Sequence, residues 1–406
     1  MAVNAAAFII FGIVLWKVRA STAIASRVML IIIAAFGVIF RLTLVPHPPV
    51  ASDDIYRYVW DGRVAQAGIN PFQYAPDDPR LAGLQTTELP ALVNFPHMRT
   101  IYPPLAQLFF FTSALLFGDS IVGMKFLLVI FECCTILILL LILKQLRMNP
   151  GLVLTYAWCP LPIMYFGLDG HIDALAIPFF LLFIYLMLKS KTVTGAFALG
   201  LAGLAKLYPL FVVPFLWKLE SSWKRILIIL LPILLLVAGY LFYLEPTGGV
   251  FESFFTFNKR FEFNGSLFTL LYAVIGANEI THIVCGVLFL LWIAALAFVD
   301  RPLLDKLFLA FLGFILVSPS VHPWYLAWLA ALVALRWSVA VVVLLATANL
   351  SNIVVYQYHA TGIWQDRPWL VFIEYVPLYA LLVWEIAQGQ YTVKSSEVPG
   401  TQVNPP

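Results

Sequence analysis

Two neighbouring carboxylates, Asp53 and Asp54, open the stretch Ser52-Asp53-Asp54-Ile55-Tyr56-Arg57-Tyr58-Val59-Trp60-Asp61-Gly62-Arg63. It follows directly on a strongly apolar run of membrane length. A carboxylate held at a membrane edge can take a proton as a general base or ligate a metal. The same pair can instead satisfy free N–H groups at a helix start, where negative charge suits the helix dipole. One aspartate suffices for a cap, and neighbours at a helix start point to different sides, so no more than one of the two is expected to face a site. Asp169-Gly170-His171-Ile172-Asp173 places three ionisable side chains at another membrane boundary. Such residues are costly there unless they are used. His171 and Asp173 can bind a metal or hydrogen-bond a polar substrate, or the run is simply a polar turn between spans. Lys206-Leu207-Tyr208-Pro209 interrupts an apolar stretch. Its lysine either snorkels or meets an anion, and Pro209 suits a discontinuous helix ending at a binding site. His322-Pro323-Trp324-Tyr325 and the charged, aromatic run Asn258-Lys259-Arg260-Phe261-Glu262-Phe263-Asn264 complete the set. The last suits contact with sugar or phosphate as well as ordinary anchoring at the interface. Glu132, inside an apolar span, reads as a hydrogen-bonding group within the bundle rather than as a reacting one.

The elements that must position these residues are set by composition. Of 406 residues, 62% are hydrophobic and 11% charged, against about 25% charged in soluble domains. A soluble fold of this length cannot hide so much apolar surface, so the chain reads as an all-α polytopic membrane protein. Apolar runs from 4–16 to 368–388 give roughly 11–13 transmembrane helices, several shorter than the ~20 residues a perpendicular span needs. Lys17 and Arg19 follow the first apolar run rather than precede it, which is not the pattern of a cleavable signal. Basic residues fall into alternate connections: Lys17, Arg19 and Arg27; Lys144 and Arg147; Lys189 and Lys191; Lys218, Lys224 and Arg225; Arg301 and Lys306; Arg336. Assigned to the cytoplasm, they leave 46–102, 169–171, 245–265, 319–323 and 357–367 together on the opposite face. Pro46-His47-Pro48-Pro49 stops the preceding helix, and a new helix is expected from Ser52 or Asp53 to about Ala67. Its apolar stripe suits a helix lying at the interface with aromatic rings at headgroup level. An irregular loop follows to about 99, then a second interfacial helix or short span over 103–117. Residues 1–388 read as one transmembrane domain and 389–406 as a disordered cytoplasmic tail.

Absences narrow the function. There is no phosphate-binding loop, dinucleotide glycine motif, His-Glu-x-x-His or Gly-x-Ser-x-Gly. No basic run with interleaved aromatics suggests nucleic acid. Cys133, Cys134, Cys159 and Cys285 all lie in apolar spans without metal-ligand spacing. No cytoplasmic domain is large enough for a nucleotide sugar, so an activated substrate would arrive through the membrane. A transporter or flippase of a lipid-linked sugar is the competing reading. It would favour charges at mid-membrane depth and inverted repeats, whereas these ionisable residues gather at one interface. A scaffold would not need them at all.

The acidic pair in the first large external loop and the Tyr102-Pro103-Pro104 that follows resemble the GT-C superfamily of integral-membrane glycosyltransferases. Gly170-His171-Ile172-Asp173-Ala174, Lys206-Leu207-Tyr208-Pro209 and His322-Pro323-Trp324-Tyr325 resemble the bacterial polyprenyl-phosphomannose-dependent mannosyltransferases. The resemblance runs from about Arg41 to Tyr325, and no large soluble C-terminal domain is present. It implies a GT-C-like bundle in the inner (plasma) membrane, with its active site on the non-cytoplasmic side. It further implies inverting transfer of a sugar, mannose first among candidates, from a polyprenyl phosphate to a glycan or lipid acceptor. The base would be Asp53 or Asp54, with Asp54 favoured as nearer the active face and Asp53 as the cap. Lys206, Arg260 and His322 would meet the donor phosphate, with Tyr208, Tyr325, His171, Asp173, Tyr102 and Arg57 lining the substrates. No ligand set demands a metal or other cofactor, although the acidic pair leaves room for a divalent ion.

Overall fold

The computed structural model describes residues 2–21, 25–244, 249–365 and 367–391. The expected tail, from 392 on, lies outside them. Among the described residues the chain is helical, with no strand beyond an isolated pairing of Phe263 and Asn264 with Ser320. Ala2–Ala20 (α1) and Arg27–Leu44 (α2) come first. Ser26 starts α2 by accepting from the Met29 N–H at 3.2 Å. Then come Asp54–Gln66 (α3), Pro104–Phe117 (α4) and Ile121–Gln145 (α5), the last begun by Ser120 accepting from the Gly123 N–H at 3.1 Å.

Among the described residues six helices are long and apolar enough to cross a membrane, or seven if Pro150–Ala157 and Pro160–Leu168, bent by 46°, count as one broken span. The sequence expectation of a larger number also counted shorter runs. Asp173–Leu188, Thr192–Ala205 and Pro323–Val333 are apolar helices of 10–17 residues. At about 1.5 Å per residue these fall short of the ~30 Å hydrocarbon core. Protein surrounds them, and Asp173, Lys206 and His322 stand at or beside their ends. Broken backbone is tolerated at such depth only where protein or a polar site replaces the lipid. Large apolar side chains left on the outside, such as Ile31 and Ile39 on α2 and Leu234, Val237 and Leu241 on Trp223–Leu241, are what hydrocarbon contact requires.

α3 forms where the loop chemistry predicts it and ends at Gly68, whose φ of +75° is the left-handed turn that favours glycine. Its setting differs from the expected surface helix. Trp60, expected at headgroup level, is 1% exposed, and Ile55, Tyr58, Val59 and Val64 are buried with it. The cause is α4, which covers one side. Tyr58 stacks on Phe110 at 4.7 Å, and a Cβ on Gly62 would stand 2.5 Å from the Phe110 carbonyl oxygen. The 79–99 segment contributes Leu81, Leu89 and Val93 to the same core. The helix with the acidic pair is thus clamped rather than floated.

Candidate active site

The turn at 169–171 is the hub of the site. Asp169 Oδ1 accepts from the backbone N–H of Val50 at 2.8 Å and of Ala51 at 3.2 Å, fixing the chain just ahead of α3. Burial pushes the Asp169 carboxyl up to about 6, against the pull of those two N–H groups. Buried Lys125 donates to the His47 carbonyl at 2.5 Å, fixing the same segment. Gly170 has φ +76°, and a Cβ there would meet Ile55 Cδ1 at 2.5 Å, so only glycine lets the turn lie against α3.

This packing delivers His171 to Asp54, with Nδ1 3.6 Å from Oδ2. His171 is 1% exposed, and neither ring nitrogen has a hydrogen-bond partner. Burial, with Lys206 and His322 nearby, holds its pKa well down, so the ring is neutral. Asp54 lies deep among protein atoms, yet 29% of its side chain stays open. Its carboxyl is pushed up to about 6, first by burial; Lys206 opposes this, Asp173 and Asp53 add to it, and a hydrogen bond from Tyr102 opposes it again. Asp53 occupies the N-cap position, but its side chain makes no capping bond; the Asp54 N–H goes to Ser52 Oγ at 3.3 Å.

Asp173 heads the next helix, at 0% exposure. Lys206 Nζ donates to its Oδ2 at 3.1 Å, while the Tyr208 hydroxyl and the Trp328 indole N–H, at 2.9 Å, donate to Oδ1. Asp173 is therefore spent on orienting its neighbours. Lys206 is not: its side chain is 18% exposed, and its ammonium sits 5.5 Å from the Tyr325 ring and 5.7 Å from the Tyr208 ring. A column of stacked rings closes the other side. Phe263 lies on His322 at 4.8 Å, His322 on Trp324 at 4.3 Å, and Trp324 on His171 at 3.7 Å. His322 is driven down to about 3 by burial and by Lys206, so it too is neutral.

A partly open carboxylate near a partly open ammonium, walled by aromatic rings, suits a neutral polyhydroxylated substrate bearing one anionic group. The sequence model described as MptA_B family, alpha-(1->6)-mannopyranosyltransferase, N-terminal domain, matches residues 1–220. That is more than half of the 406 residues. The chain belongs to the MptA_B family. No curated protein and no solved structure matches it. Membership makes this a glycosyltransferase of a mannosyltransferase family in a helical membrane protein, using a sugar donor and a glycan acceptor. In this MptA_B chain, Asp54, His171, Asp173, Lys206 and Tyr208 fall inside the matched part, while Phe263, His322, Trp324, Tyr325 and Trp328 fall beyond it.

Arg57 was expected to line the substrates and Arg260 to meet the donor phosphate. Arg57 is 6% exposed and holds Asp61 at 2.8 Å and the Met98 carbonyl at 2.8 Å, tying α3 to its covering loop. The Arg260 side chain lies outside the described residues. Among the described residues no group of three or more His, Cys, Asp and Glu side chains is arranged to hold a metal ion. Trp328 and Lys125 were missed by sequence reasoning. Trp328 follows Trp324 at helical spacing, a readable signal of a shared face; Lys125, an ionisable residue in an apolar run, carried the same signal as Glu132.

Proposed function

We infer that this MptA_B-family chain transfers mannose from a polyprenyl-phosphate donor to a glycan or lipid acceptor, with inversion, in a single displacement. Asp54 takes the proton of the acceptor hydroxyl. The freed oxygen bonds to the anomeric carbon from the face opposite the phosphate. The bond from that carbon to the phosphate oxygen breaks, and its electron pair leaves with the polyprenyl phosphate. Lys206, oriented by Asp173, meets the charge gained by that phosphate. His171, neutral and buried with its Nδ1 3.6 Å from Asp54 Oδ2, steadies that carboxylate. No step is routed through a metal.

The observation that carries this reading is a partly exposed carboxylate, Asp54, pushed up to about 6 by burial, with the partly exposed Lys206 close enough to oppose that shift. A base is most effective when its pKa lies near working pH. The distribution of basic residues supports a site on the non-cytoplasmic face of the plasma membrane, where the polyprenyl tail can remain in lipid. Residues 1–388 would act as one domain.

The test incubates purified protein with radiolabelled polyprenyl-phosphate mannose and an α-(1→6)-linked mannose acceptor, alongside Asp53→Asn and Asp54→Asn. Label should reach the acceptor with wild type and Asp53→Asn, and not with Asp54→Asn. Saturable donor binding without turnover would indicate the wrong acceptor. Absence of donor binding would overturn the polyprenyl-phosphate reading and favour a different lipid-linked substrate.

A further inference from the structure

Glu374 sits in Pro368–Ala387, one of the six helices long and apolar enough to cross a membrane, at 0% exposure. An ionisable residue in such a segment is expensive and is kept for a reason. Nothing in the transfer reaction touches it. Its carboxylate accepts from Asn264 Nδ2 at 2.6 Å and from the Ser351 backbone N–H, while Oε1 has no partner. No cation lies within ion-pairing distance among the described residues, so this is not a salt bridge stapling two helices.

What it holds is a loop residue. Asn264 has φ +54°, in the left-handed region that asparagine enters more readily than most residues and that glycine takes at no steric cost. Glu374 fixes its side chain, and the Tyr375 hydroxyl donates to its carbonyl at 3.1 Å. Phe263, next in the chain, is then locked by two backbone bonds. Its N–H goes to the Pro319 carbonyl at 3.0 Å, and its carbonyl accepts from the Val321 N–H at 2.7 Å. The Phe263 ring is the outer end of the column that runs through His322 and Trp324 to His171, whose Nδ1 is 3.6 Å from Asp54. Tyr165 packs on Trp324 at 5.7 Å and is itself held by Asn352 at 2.6 Å and by Asn349 at 3.1 Å, so the column cannot shift inward to relax.

We propose that Glu374 is a positioning residue for glycosyl transfer, holding Asn264 and Phe263 so that the ring column fixes His171 beside Asp54 and keeps water from it. This rests on the reading of Asp54 as the base. Asp54 is faced by His171, Lys206, Asp173, Asp53 and Tyr102. Loosening the column alters none of these charges but weakens the burial that dominates the Asp54 carboxyl. A purely structural carboxylate would not move the titration of a residue on another helix.

The test measures transfer from polyprenyl-phosphate mannose across about pH 4.5 to 8 for wild type, Glu374→Leu, Glu374→Gln, Asn264→Gly and Asp54→Asn, with melting temperature as the control for folding. Glu374→Leu should lower kcat roughly 10- to 100-fold, with the donor KM within about twofold. Its acid limb should fall from about 6 toward the ordinary ~4 of an aspartate. Glu374→Gln keeps an oxygen for Asn264 and should stay within about threefold of wild type. Asn264→Gly keeps the left-handed backbone, removes the bond without touching the spanning helix, and should reproduce the Glu374→Leu profile. That variant decides the matter if Glu374→Leu fails to fold. An unmoved acid limb in Asn264→Gly overturns the proposal, as does a Gln variant as impaired as Leu. Undiminished turnover by Asp54→Asn would instead remove the base reading itself, an outcome read independently of the Glu374 variants.

Discussion

Two buried ion pairs, built from the same kinds of groups, lie in this bundle and do different things. Arg41 and Glu132 are both 0% exposed and 2.9 Å apart. Every arm is engaged: the guanidinium also donates to the carbonyls of Gly37 at 2.8 Å, Ala157 at 2.9 Å and Tyr156 at 3.5 Å, and the Tyr156 hydroxyl donates to Glu132 at 2.6 Å. Lys206 and Asp173 are 3.1 Å apart, but only the carboxylate is saturated. The Lys206 side chain is 18% exposed, and that of nearby Asp54 29%. Unspent valence, rather than burial or charge, separates the reactive pair from the structural one. The closed pair joins α2, α5 and the broken span into a frame; the open pair sits where short helices end inside that frame.

The comparison can be broken most directly at Asp54. Asp54→Asn should cut kcat by about 10²–10⁴-fold, as loss of a general base does, with melting temperature unchanged; a smaller loss would place the base elsewhere. At the closed pair the loss should be in stability. Glu132→Ala leaves a buried guanidinium unpaired, a cost of about 3–5 kcal/mol, read as a lower melting temperature in detergent, while kcat per folded molecule stays near wild type. Removing both partners, as Arg41→Met with Glu132→Leu, should recover most of that stability. Lys206→Met should lower kcat roughly 10- to 100-fold through loss of charge stabilisation at the leaving phosphate, whereas Tyr325→Phe, which keeps the ring, should do little.

The pH profile sharpens the contrast further. On the proposed reading Asp54 works without its proton, so kcat/KM should be flat above about 6 and fall about tenfold per unit below it. Stability runs with the opposite sign. Because folding raises this carboxyl, the fold favours its protonated form, and stability contributed there is lost as pH rises from ~4 through about 6. The smallest effect is expected at Asp53, which makes no capping bond; Asp53→Asn should leave kcat within about twofold, since its charge acts on Asp54 only at a distance.

Much of this arrangement was legible before any coordinates. Ionisable residues in an apolar chain are few, and their motifs fall on one face by the distribution of lysine and arginine, so Asp54, His171, Asp173 and Lys206 could be grouped from sequence. Glu132 was readable as a bundle residue because nothing polar accompanies it. What sequence could not supply was partnership. Whether Asp173 faces substrate or is consumed by Lys206, Tyr208 and Trp328 depends on contacts across some 155 residues. Arg57 was expected to line the substrates, and the sequence did not show that its Nε would be held by the i, i+4 neighbour Asp61. Trp60 looked interfacial because an amphipathic stripe says only that one side is apolar, not that a second helix will cover the other. Glu374 was passed over because an acidic residue inside a twenty-residue, largely apolar helix carries no address for the loop it restrains.

Gly62 sets α3 against the backbone of α4, with no side chain between them. A helix seated in this way has no rotamer to yield and no layer of side chains along which to slide. Asp54 therefore rides on a mount whose tilt is dictated by main-chain dimensions. On the proposed reading, the reach of Asp54 as base then stays constant from one turnover to the next, and any fit to acceptors of different girth falls to the irregular 72–99 segment.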